Sequence, residues 1–400
     1  MLKITEDIQK STNENKYVAL ILLDSSAAFD TVDHDLLLEK LDKTFSIKSN
    51  ALKWIKSYLT NRSFSVTVNK VKSKSKKLKY GVPQGSLLGP LFYILYTKEI
   101  ENIVIKHGLQ VHMYADDCQL YISFKADNKQ YSESKITSCL SDIKIWMDLN
   151  FLKLNPSKTN LIILNPRNKI PPPFSLNFNF NNALVPPMKT VKSLGVNLSP
   201  NMDFSSFISK KVQVCSFHLR NLAHIKKSLP YSARVILVTN LILSTLDYCN
   251  SLLIGATNKD ILPLQRVLNR TVRLIFDLKR RDHITPYLFK LHFLPVKFRI
   301  QYKICLFAYK IVNGLSPDYL VDEFEMFRPT TGIELRKCQG RDEYMFKLGP
   351  LKLTNNSLFS KLALQWNKLP YEVRIAESIP TFKSKLKTHF FKIAYANFIN

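Results

Sequence analysis

The first third of the chain alternates between apolar runs and polar segments at spacings typical of an α+β fold. Residues Tyr17 to Leu23 are all apolar and are bounded by polar residues, which predicts a strand covered on both faces. The segments Val111 to Tyr114 and Gln119 to Phe124 are rich in aromatic and β-branched residues, so they predict two strands joined by a tight turn. An apolar helical face at Ile4 and Ile8 predicts a helix before the first strand.

The second half of the chain shows helical rather than strand spacing. A segment rich in proline and asparagine at 171–187 interrupts the periodic pattern and predicts an extended connector. We therefore predict an α+β domain at 1–170, a connector at 171–205 and a mainly helical region at 206–400. Within the last region the apolar spacing predicts four helices, at 206–229, 233–246, 262–278 and 295–312.

Three aspartates follow or connect the predicted strands. Asp24 comes directly after the first strand, and Asp116 and Asp117 lie between the other two. Carboxylate oxygens are ligands that Mg²⁺ prefers, and two such ions can stabilise the attacking and leaving oxygens of an in-line displacement. We favour Asp24 with Asp116 as the metal-binding pair. The alternative is ordinary turn or capping chemistry, for which aspartate is equally common.

A glycine-bracketed segment, Gly81 to Ser86, precedes a predicted helix at 87–96. It contains two of the ten glycines of the chain. Glycines allow a backbone to approach a base pair or phosphate closely, and Gln84 offers an amide donor and acceptor to a nucleotide. Ser86 is a candidate cap for the helix that follows.

Together, the strings Leu22 to Asp30, Gly81 to Ser86 and Tyr114 to Asp117 resemble motifs A, B and C of reverse transcriptases from non-LTR (LINE-type) retrotransposons, close to the jockey and CR1-like groups. The resemblance implies a polymerase palm with an antiparallel sheet and packed helices, followed by a helical thumb. It assigns metal binding and catalysis to Asp24, Asp116 and Asp117. Nucleotide contacts would fall to Gln84, Gly85 and Phe29, with Phe29 as an aromatic gate against the ribose 2′-hydroxyl; the alternative for Phe29 is an ordinary core aromatic.

Two further motifs are implied downstream. The segment Leu152 to Thr159 resembles motif D, which would put Lys158 near the triphosphate as a general acid, although a solvated loop lysine is the simpler alternative. The segment Ser193 to Val196 resembles motif E, so Leu194 and Gly195 would belong to a primer-grip hairpin.

One departure from the family concerns the residues before Asp24. Relatives place a fingers subdomain there, which grips the triphosphate, and often an endonuclease domain further upstream. We therefore expect a chain truncated at its amino end, with the fingers largely absent, and we expect it to extend a primer poorly or not at all by itself.

Charge agrees with a nucleic-acid partner. The chain has 58 basic and 31 acidic residues, a net charge of +27, and such an excess supplies phosphate contacts that carry little sequence information. Arg266, Arg270 and Arg273 recur at helical spacing on one face. They are candidates for a template–primer backbone track, and surface solvation is the alternative. For the lysine run at 70–79, a solvated hairpin is the first interpretation and a nuclear-targeting patch is the alternative.

We expect an RNA-directed DNA polymerase that uses two Mg²⁺ ions, or Mn²⁺, with an RNA template, a DNA primer and deoxynucleoside triphosphates. A catalytically inactive nucleic-acid-binding remnant is the main alternative, and a carboxylate-dependent nuclease is a third. No amino-terminal signal sequence and no apolar stretch of about 18 residues is present, so the sequence predicts an intracellular protein without a membrane span.

Overall fold

The structure is a computed structural model of the chain and describes residues 1–26, 28–166, 171–172, 176–180, 183–326, 344–348 and 357–399. Contacts divide the chain into two compact units. We call residues 14–194 with 199–201 the sheet unit, and residues 1–13, 195–198 and those from 202 onward the helical unit.

A four-stranded antiparallel sheet organises the sheet unit. Its spatial order is β10-β1-β8-β7, with β1 at Tyr17–Leu23, β7 at Gln110–Tyr114, β8 at Asp117–Phe124 and β10 at Asn160–Leu164. The central strand β1 pairs with β8 on one side, from Tyr17 opposite Phe124 to Leu23 opposite Cys118, and with β10 on the other. Because β1 has a neighbour on each side and six of its seven residues are buried, a continuous apolar run suits it.

Helices and short strands complete the sheet unit. Its core joins the sheet residues Ile21, Leu23 and Leu120 to Tyr93 and Ile143 of two helices. The helices are α2 (His34–Lys43), α3 (Ser49–Leu59), α4 (Gly89–Thr97), α5 (Glu99–Lys106) and α6 (Lys129–Leu149). The short strands are β2 (Ser25–Ser26), β3 (Ser63–Phe64), β4 (Thr67–Val68), β5 (Val71–Lys72), β6 (Lys76–Lys77), β9 (Lys153–Leu154), β11 (Phe178–Phe180), β12 (Ala183–Val185) and β13 (Val191–Ser193).

The helical unit is built around α10, whose apolar face is buried from Ile261 to Ile275. A capping box between Thr257 and Asp260 begins this helix. The helices of the unit are α1 (Leu2–Asn13), α7 (Ser205–Ile225), α8 (Tyr231–Val238), α9 (Ser244–Asp247), α10 (Asn258–Phe276), α11 (Thr285–Lys290), α12 (Val296–Val312), α13 (Asp318–Val321), α14 (Leu358–Asn367), α15 (Tyr371–Arg374), α16 (Ile379–Ala394) and α17 (Ala396–Ile399), with one short strand, β14 (Val196–Leu198).

The first helix of the chain belongs to the helical unit through a buried carboxylate. Glu6 is 1% exposed, and its two oxygens accept hydrogen bonds from the Ser357 hydroxyl at 2.6 Å and the Phe359 amide at 2.9 Å. These donors lie at the start of α14, where a negative charge complements the free amides and the helix dipole. The apolar face at Ile4 and Ile8 is buried, as the sequence predicts.

The predicted α+β class is confirmed: an antiparallel sheet with packed helices precedes a mainly helical region. One local prediction needs correction, because the helix predicted over 233–246 is interrupted by a π-helical segment, Thr239–Leu243. The predicted extended connector contains the paired strands β11 and β12. Part of that connector, including Pro173, Asn181 and Asn182, lies outside the described residues. No helix among the described residues is long and apolar enough to cross a membrane.

Candidate functional site

Asp24 and Asp117 lie at one end of the central sheet on neighbouring strands. The β1–β8 ladder pairs Leu22 with Gln119 and Leu23 with Cys118, so one further step of the same register sets Asp24 opposite Asp117. Residues opposite each other in an antiparallel pair share a face. The two carboxylates therefore extend the face of the sheet that carries Leu22 and Gln119.

The third aspartate occupies the turn of the β7–β8 hairpin. Tyr114 pairs with Asp117, which leaves Ala115 and Asp116 as a two-residue loop. Ala115 has a φ of 52°, in the left-handed region that a non-glycine residue rarely adopts. This turn differs from the predicted one in that Asp117 already belongs to the second strand.

A cavity of about 360 Å³ opens beside the paired carboxylates. Asp24 and Asp117 line it together with the cationic side chains of Lys158 and Lys192. Gln119 also lines it; this side chain is buried, and its Oε1 has no hydrogen-bond partner among the described residues. The cavity therefore offers two carboxylates, two ammonium groups and a buried amide within one volume.

Lys158 is paired directly with Asp24. Its Nζ lies 3.0 Å from Asp24 Oδ2, although the lysine side chain remains 63% exposed. Local structure sets this contact: β2 pairs Ser25 with Leu154 of β9, and the Asn155 amide donates to the Asp24 carbonyl at 3.0 Å. The segment Leu152 to Thr159, which resembles motif D, is thus paired with the residues at Asp24 and Ser25.

The three carboxylates interact electrostatically. Partial burial raises the pKa of Asp117, and the negative charges of Asp116 and Asp24 raise it further. Burial also raises the pKa of Tyr93 to about 12, with contributions from the same two carboxylates and against a lowering hydrogen bond to Ser25. A cation placed among these groups would relieve the repulsion.

The donor set suits a divalent cation completed by other ligands. Within the described residues, no three His, Cys, Asp or Glu side chains form a ready metal-ligand cluster. Mg²⁺ commonly binds one or two carboxylates and takes its remaining ligands from water and substrate phosphates. Asp24 and Asp117, which share a cavity, meet that requirement, with Asp116 adjacent in the turn.

The glycine-bracketed segment is joined to the segment after Asp24 by backbone hydrogen bonds. The Gly81 amide donates to the Val32 carbonyl at 2.7 Å, and the Val82 amide donates to the Phe29 carbonyl at 2.8 Å. A side-chain contact adds to these bonds, because Gln84 Nε2 donates to Asp30 Oδ1 at 3.1 Å. The first two sequence motifs are therefore one structural assembly.

Gly81 and Gly85 provide a matched test of that assembly. Both have positive φ, 89° and 78°, but a Cβ at Gly81 would lie 2.9 Å from the Asp30 carbonyl oxygen, whereas at Gly85 it would meet open space. We expect Gly85→Ala to cost about 1 kcal/mol for its backbone conformation alone. Gly81→Ala should cost about 2 kcal/mol more, because backbone must also move. Urea unfolding of both variants measures the difference, and equal losses would contradict a close approach at Gly81.

Phe29 packs against Tyr93, an aromatic residue near the aspartates. Its ring centroid is 5.1 Å from that of Tyr93, and the side chain is half-buried against the core of the sheet unit. Tyr93 in turn is close enough to Asp24 and Asp116 for their charges to affect its pKa. This placement is compatible both with packing and with a role beside a bound nucleotide.

Ser86 organises the start of α4. Its hydroxyl donates to the Pro83 carbonyl at 2.7 Å and accepts from the Gly89 amide at 2.9 Å. The helix begins at Gly89, two residues later than predicted, and Gln84 and Gly85 remain exposed before it.

The predicted primer-grip residues follow closely after the cavity residue Lys192, whereas the predicted thumb arginines lie on α10 of the helical unit. Leu194 and Gly195 both have positive φ, 45° and 77°, between β13 and β14. Arg266 and Arg270 are exposed on α10, and Arg270 reaches Ser216 Oγ at 3.4 Å. Arg273 is half-buried, and its guanidinium donates to the carbonyls of Lys279, Arg280 and Asp282, so it supports the turn after α10.

Three residues beside the aspartates are not among those that the sequence motifs indicate. Gln119 could have been found, because alternation along a strand sets it on the same face as Asp117. Tyr93 carried a weaker signal, as an aromatic in the helix after the glycine segment. Lys192 carried no local signal, since only the folded arrangement of β13 brings it to the cavity.

Comparison with known proteins gives a consistent result. Residues 2–198 match the family described as reverse transcriptase (RNA-dependent DNA polymerase). The chain is 27% identical over 227 residues to a probable RNA-directed DNA polymerase from transposon BS of Drosophila melanogaster, covering 55% of this chain and 24% of that protein. It is 29% identical over 202 residues to the RNA-directed DNA polymerase from mobile element jockey of the same species, covering 49% and 21%. The chain thus spans about a quarter of the length of these relatives.

The similarity to solved telomerase structures is distant. A structure of apo telomerase from Candida tropicalis aligns with a TM-score of 0.37 and 13% identity, covering 69% of this chain and 44% of that one. A similarity of this size supports no functional inference.

Proposed function

Because residues 2–198 belong to the reverse transcriptase family, we propose that this chain is the polymerase region of a non-LTR (LINE-type) retrotransposon protein that copies an RNA template into DNA. The observation that carries the proposal is the shared cavity of Asp24 and Asp117, with Lys158 paired to Asp24. The relatives named above support the same activity through their own names.

In the proposed reaction, the 3′ oxygen of a DNA primer attacks the α-phosphorus of a deoxynucleoside triphosphate, and pyrophosphate leaves. Asp24, Asp116 and Asp117 would hold two Mg²⁺ ions, or Mn²⁺, which would supply charge stabilisation for the attacking and leaving oxygens. Gln84 and Gly85, exposed before α4, would contact the nucleotide and template. Phe29 would restrict the sugar to the deoxy form.

Lys158 would have two alternating partners. Without nucleotide its ammonium neutralises Asp24 at 3.0 Å; with nucleotide it would contact the triphosphate and give a proton to the leaving pyrophosphate. An exposed lysine has the freedom for such a change, and its departure would return the full charge of Asp24 to a cation.

Lys158→Met should consequently strengthen Mn²⁺ binding to the protein without nucleotide by up to about fivefold, the effect of one screened charge pair. Electron paramagnetic resonance of free Mn²⁺ measures this affinity. Lys125→Met, which removes an exposed lysine elsewhere in the same unit, is the matched control. An unchanged affinity in Lys158→Met would show that the ammonium does not compete for Asp24.

Primer extension by the purified chain tests the function itself. With an RNA template, an annealed DNA primer, deoxynucleotides and Mg²⁺, we expect slow extension that stops when the metal is chelated. Shortening of the strands without added nucleotides would instead indicate a nuclease. Absence of extension, under conditions where the duplex is bound, would refute polymerase activity of this chain.

A nucleic-acid-binding protein without catalysis is the second candidate. The observation in its favour is the Lys158–Asp24 pair, which neutralises one of the two carboxylates of the cavity. Under this alternative the duplex is bound with strong salt dependence, but no primer is extended, even when Lys158→Met removes the ammonium from Asp24.

A further inference from the structure

A long part of the sheet unit contains no acidic residue. Between Asp42 and Glu99 the chain has no aspartate or glutamate, while lysines recur from Lys43 to Lys79 together with Arg62. Six of these lysines fall within residues 62–79, a segment that we call the lysine ribbon. They are Lys70, Lys72, Lys74, Lys76, Lys77 and Lys79.

The lysine ribbon is a two-stranded structure with solvent on both faces. Strand β3 pairs with β6 and strand β4 pairs with β5. All eight residues of these strands are exposed. Because successive strand residues point to opposite faces, exposure of every residue means that neither face packs against a core.

The ribbon is fixed at its base rather than along its length. The Leu78 amide donates to the Arg62 carbonyl at 2.8 Å, and the Arg62 guanidinium lies 4.3 Å from the Tyr58 ring centroid on α3. Further out, the Ser73 amide donates to the Val66 carbonyl and the Ser73 hydroxyl accepts from the Val66 amide. The turn at Asn69 and Lys70 has positive φ at both positions, as two-residue hairpin turns of type I′ require.

None of the six lysines forms an ion pair with any carboxylate of the described residues. Two-stranded ribbons are only marginally stable in water, and clustered like charges oppose their formation further. The ribbon therefore concentrates positive charge at a cost to its own stability, and a polyanion would offset that cost. Its turn is polar, with Asn69 and Lys70, and the exposed Val68 and Val71 flank that turn among the lysines.

We propose that the lysine ribbon binds the phosphate backbone of a nucleic-acid duplex, as a surface distinct from the cavity at Asp24. Lysine ammonium groups contact phosphates as point charges without reading bases. The proposal does not depend on polymerase activity, since a protein that binds nucleic acid without extending it would use the same surface.

Two variants with equal loss of charge test the proposal. The ribbon variant carries Lys70→Gln, Lys72→Gln, Lys76→Gln and Lys77→Gln. The matched variant carries Lys48→Gln, Lys53→Gln, Lys106→Gln and Lys144→Gln, which are exposed lysines of the same unit, the first just before α3 and the others on α3, α5 and α6. Fluorescence anisotropy with a short RNA–DNA duplex, across a range of KCl and with chelator, measures binding without catalysis.

The ribbon variant should bind the duplex at least tenfold more weakly near physiological salt. The slope of log affinity against log salt concentration should become less negative by about 3. Each lost phosphate contact removes roughly 0.7–0.9 from the magnitude of that slope. Arginine at the same four positions should preserve binding. Equal losses in the two glutamine variants would reduce the effect to net charge and overturn the proposal. The proposal would also be overturned if the ribbon variant lost binding to vesicles of anionic lipid while its affinity for the duplex was unchanged. That result would assign the ribbon to a membrane surface.

Discussion

Asp24→Asn is expected to lower primer extension by about 10³-fold, which takes slow extension to background. Asparagine keeps the size of the side chain but removes the charge that would hold a cation in the cavity shared with Asp117. The fold should survive the change, because the lost partner, Lys158, is largely exposed and such pairs contribute at most about 1 kcal/mol. Single-nucleotide extension at saturating deoxynucleotide is the measurement.

Asp127→Asn is the matched control, since it removes one carboxylate from an exposed position of the same unit. It should extend at the unchanged rate. Mn²⁺ binding gives a second readout, because Asp24→Asn should weaken it even where extension is too slow to measure. Full extension by the Asp24 variant would place the catalytic metal elsewhere and contradict the proposed site.

Apolar patterning located the central strand to the residue. Residues 17–23 are bounded by polar side chains at both ends, and the central position of β1 buries both of its faces. Local composition was therefore enough to predict this strand. A strand buried on both faces is apolar at every position, whichever register it takes with its neighbours. The family resemblance drawn from the same strings is confirmed by the match over residues 2–198.

The register of the β7–β8 hairpin could not be predicted from the local pattern of apolar and polar residues. Its strands were predictable, but which aspartate enters the cavity depends on the turn register. A loop of Ala115 and Asp116 returns Asp117 to the strand, and a shift by one residue would reverse which side chains face the cavity. The predicted pairing of Asp24 with Asp116 in metal binding stays a prediction, while the residues that line the cavity are Asp24 and Asp117.

Contacts between distant segments were beyond any local signal. As a charged residue of an amphipathic helix, Glu6 would be expected on the surface. It is instead buried and accepts hydrogen bonds from the start of α14, more than 350 residues away. Lys192 likewise reaches the cavity only through the position of β13. Periodicity predicts which face of an element is buried, but it does not identify the partner.

The glycine segment links sequence pattern to selectivity. Its two backbone hydrogen bonds to Phe29 and Val32 hold the Phe29 backbone in place, and the Tyr93 ring supports the side chain from one side. Fixed backbone and a supported ring are what a steric filter needs, because a mobile ring would yield to an additional hydroxyl. The same contacts would also serve plain packing, so only selectivity separates the two roles.

Phe29→Ala is expected to reduce the preference for deoxynucleotides over ribonucleotides by about 10- to 100-fold, the range within which shape alone discriminates. Removing the ring opens space next to Tyr93, where the 2′-hydroxyl of a ribonucleotide would lie in the proposed complex. The measurement is the ratio of kcat/KM for a deoxynucleotide and its ribonucleotide counterpart in single-nucleotide extension.

Phe45→Ala controls for lost packing, since Phe45 is also half-buried against the core of the sheet unit. Both variants should lose stability, by up to about 3 kcal/mol, because each removes a partly buried aromatic ring. Only Phe29→Ala should change the ratio of the two substrates, since it is Phe29 that contacts Tyr93, the ring whose pKa Asp24 and Asp116 raise. A ratio that falls equally in both variants would assign Phe29 to packing alone, whereas an unchanged ratio in Phe29→Ala would place sugar selection at another residue of the cavity.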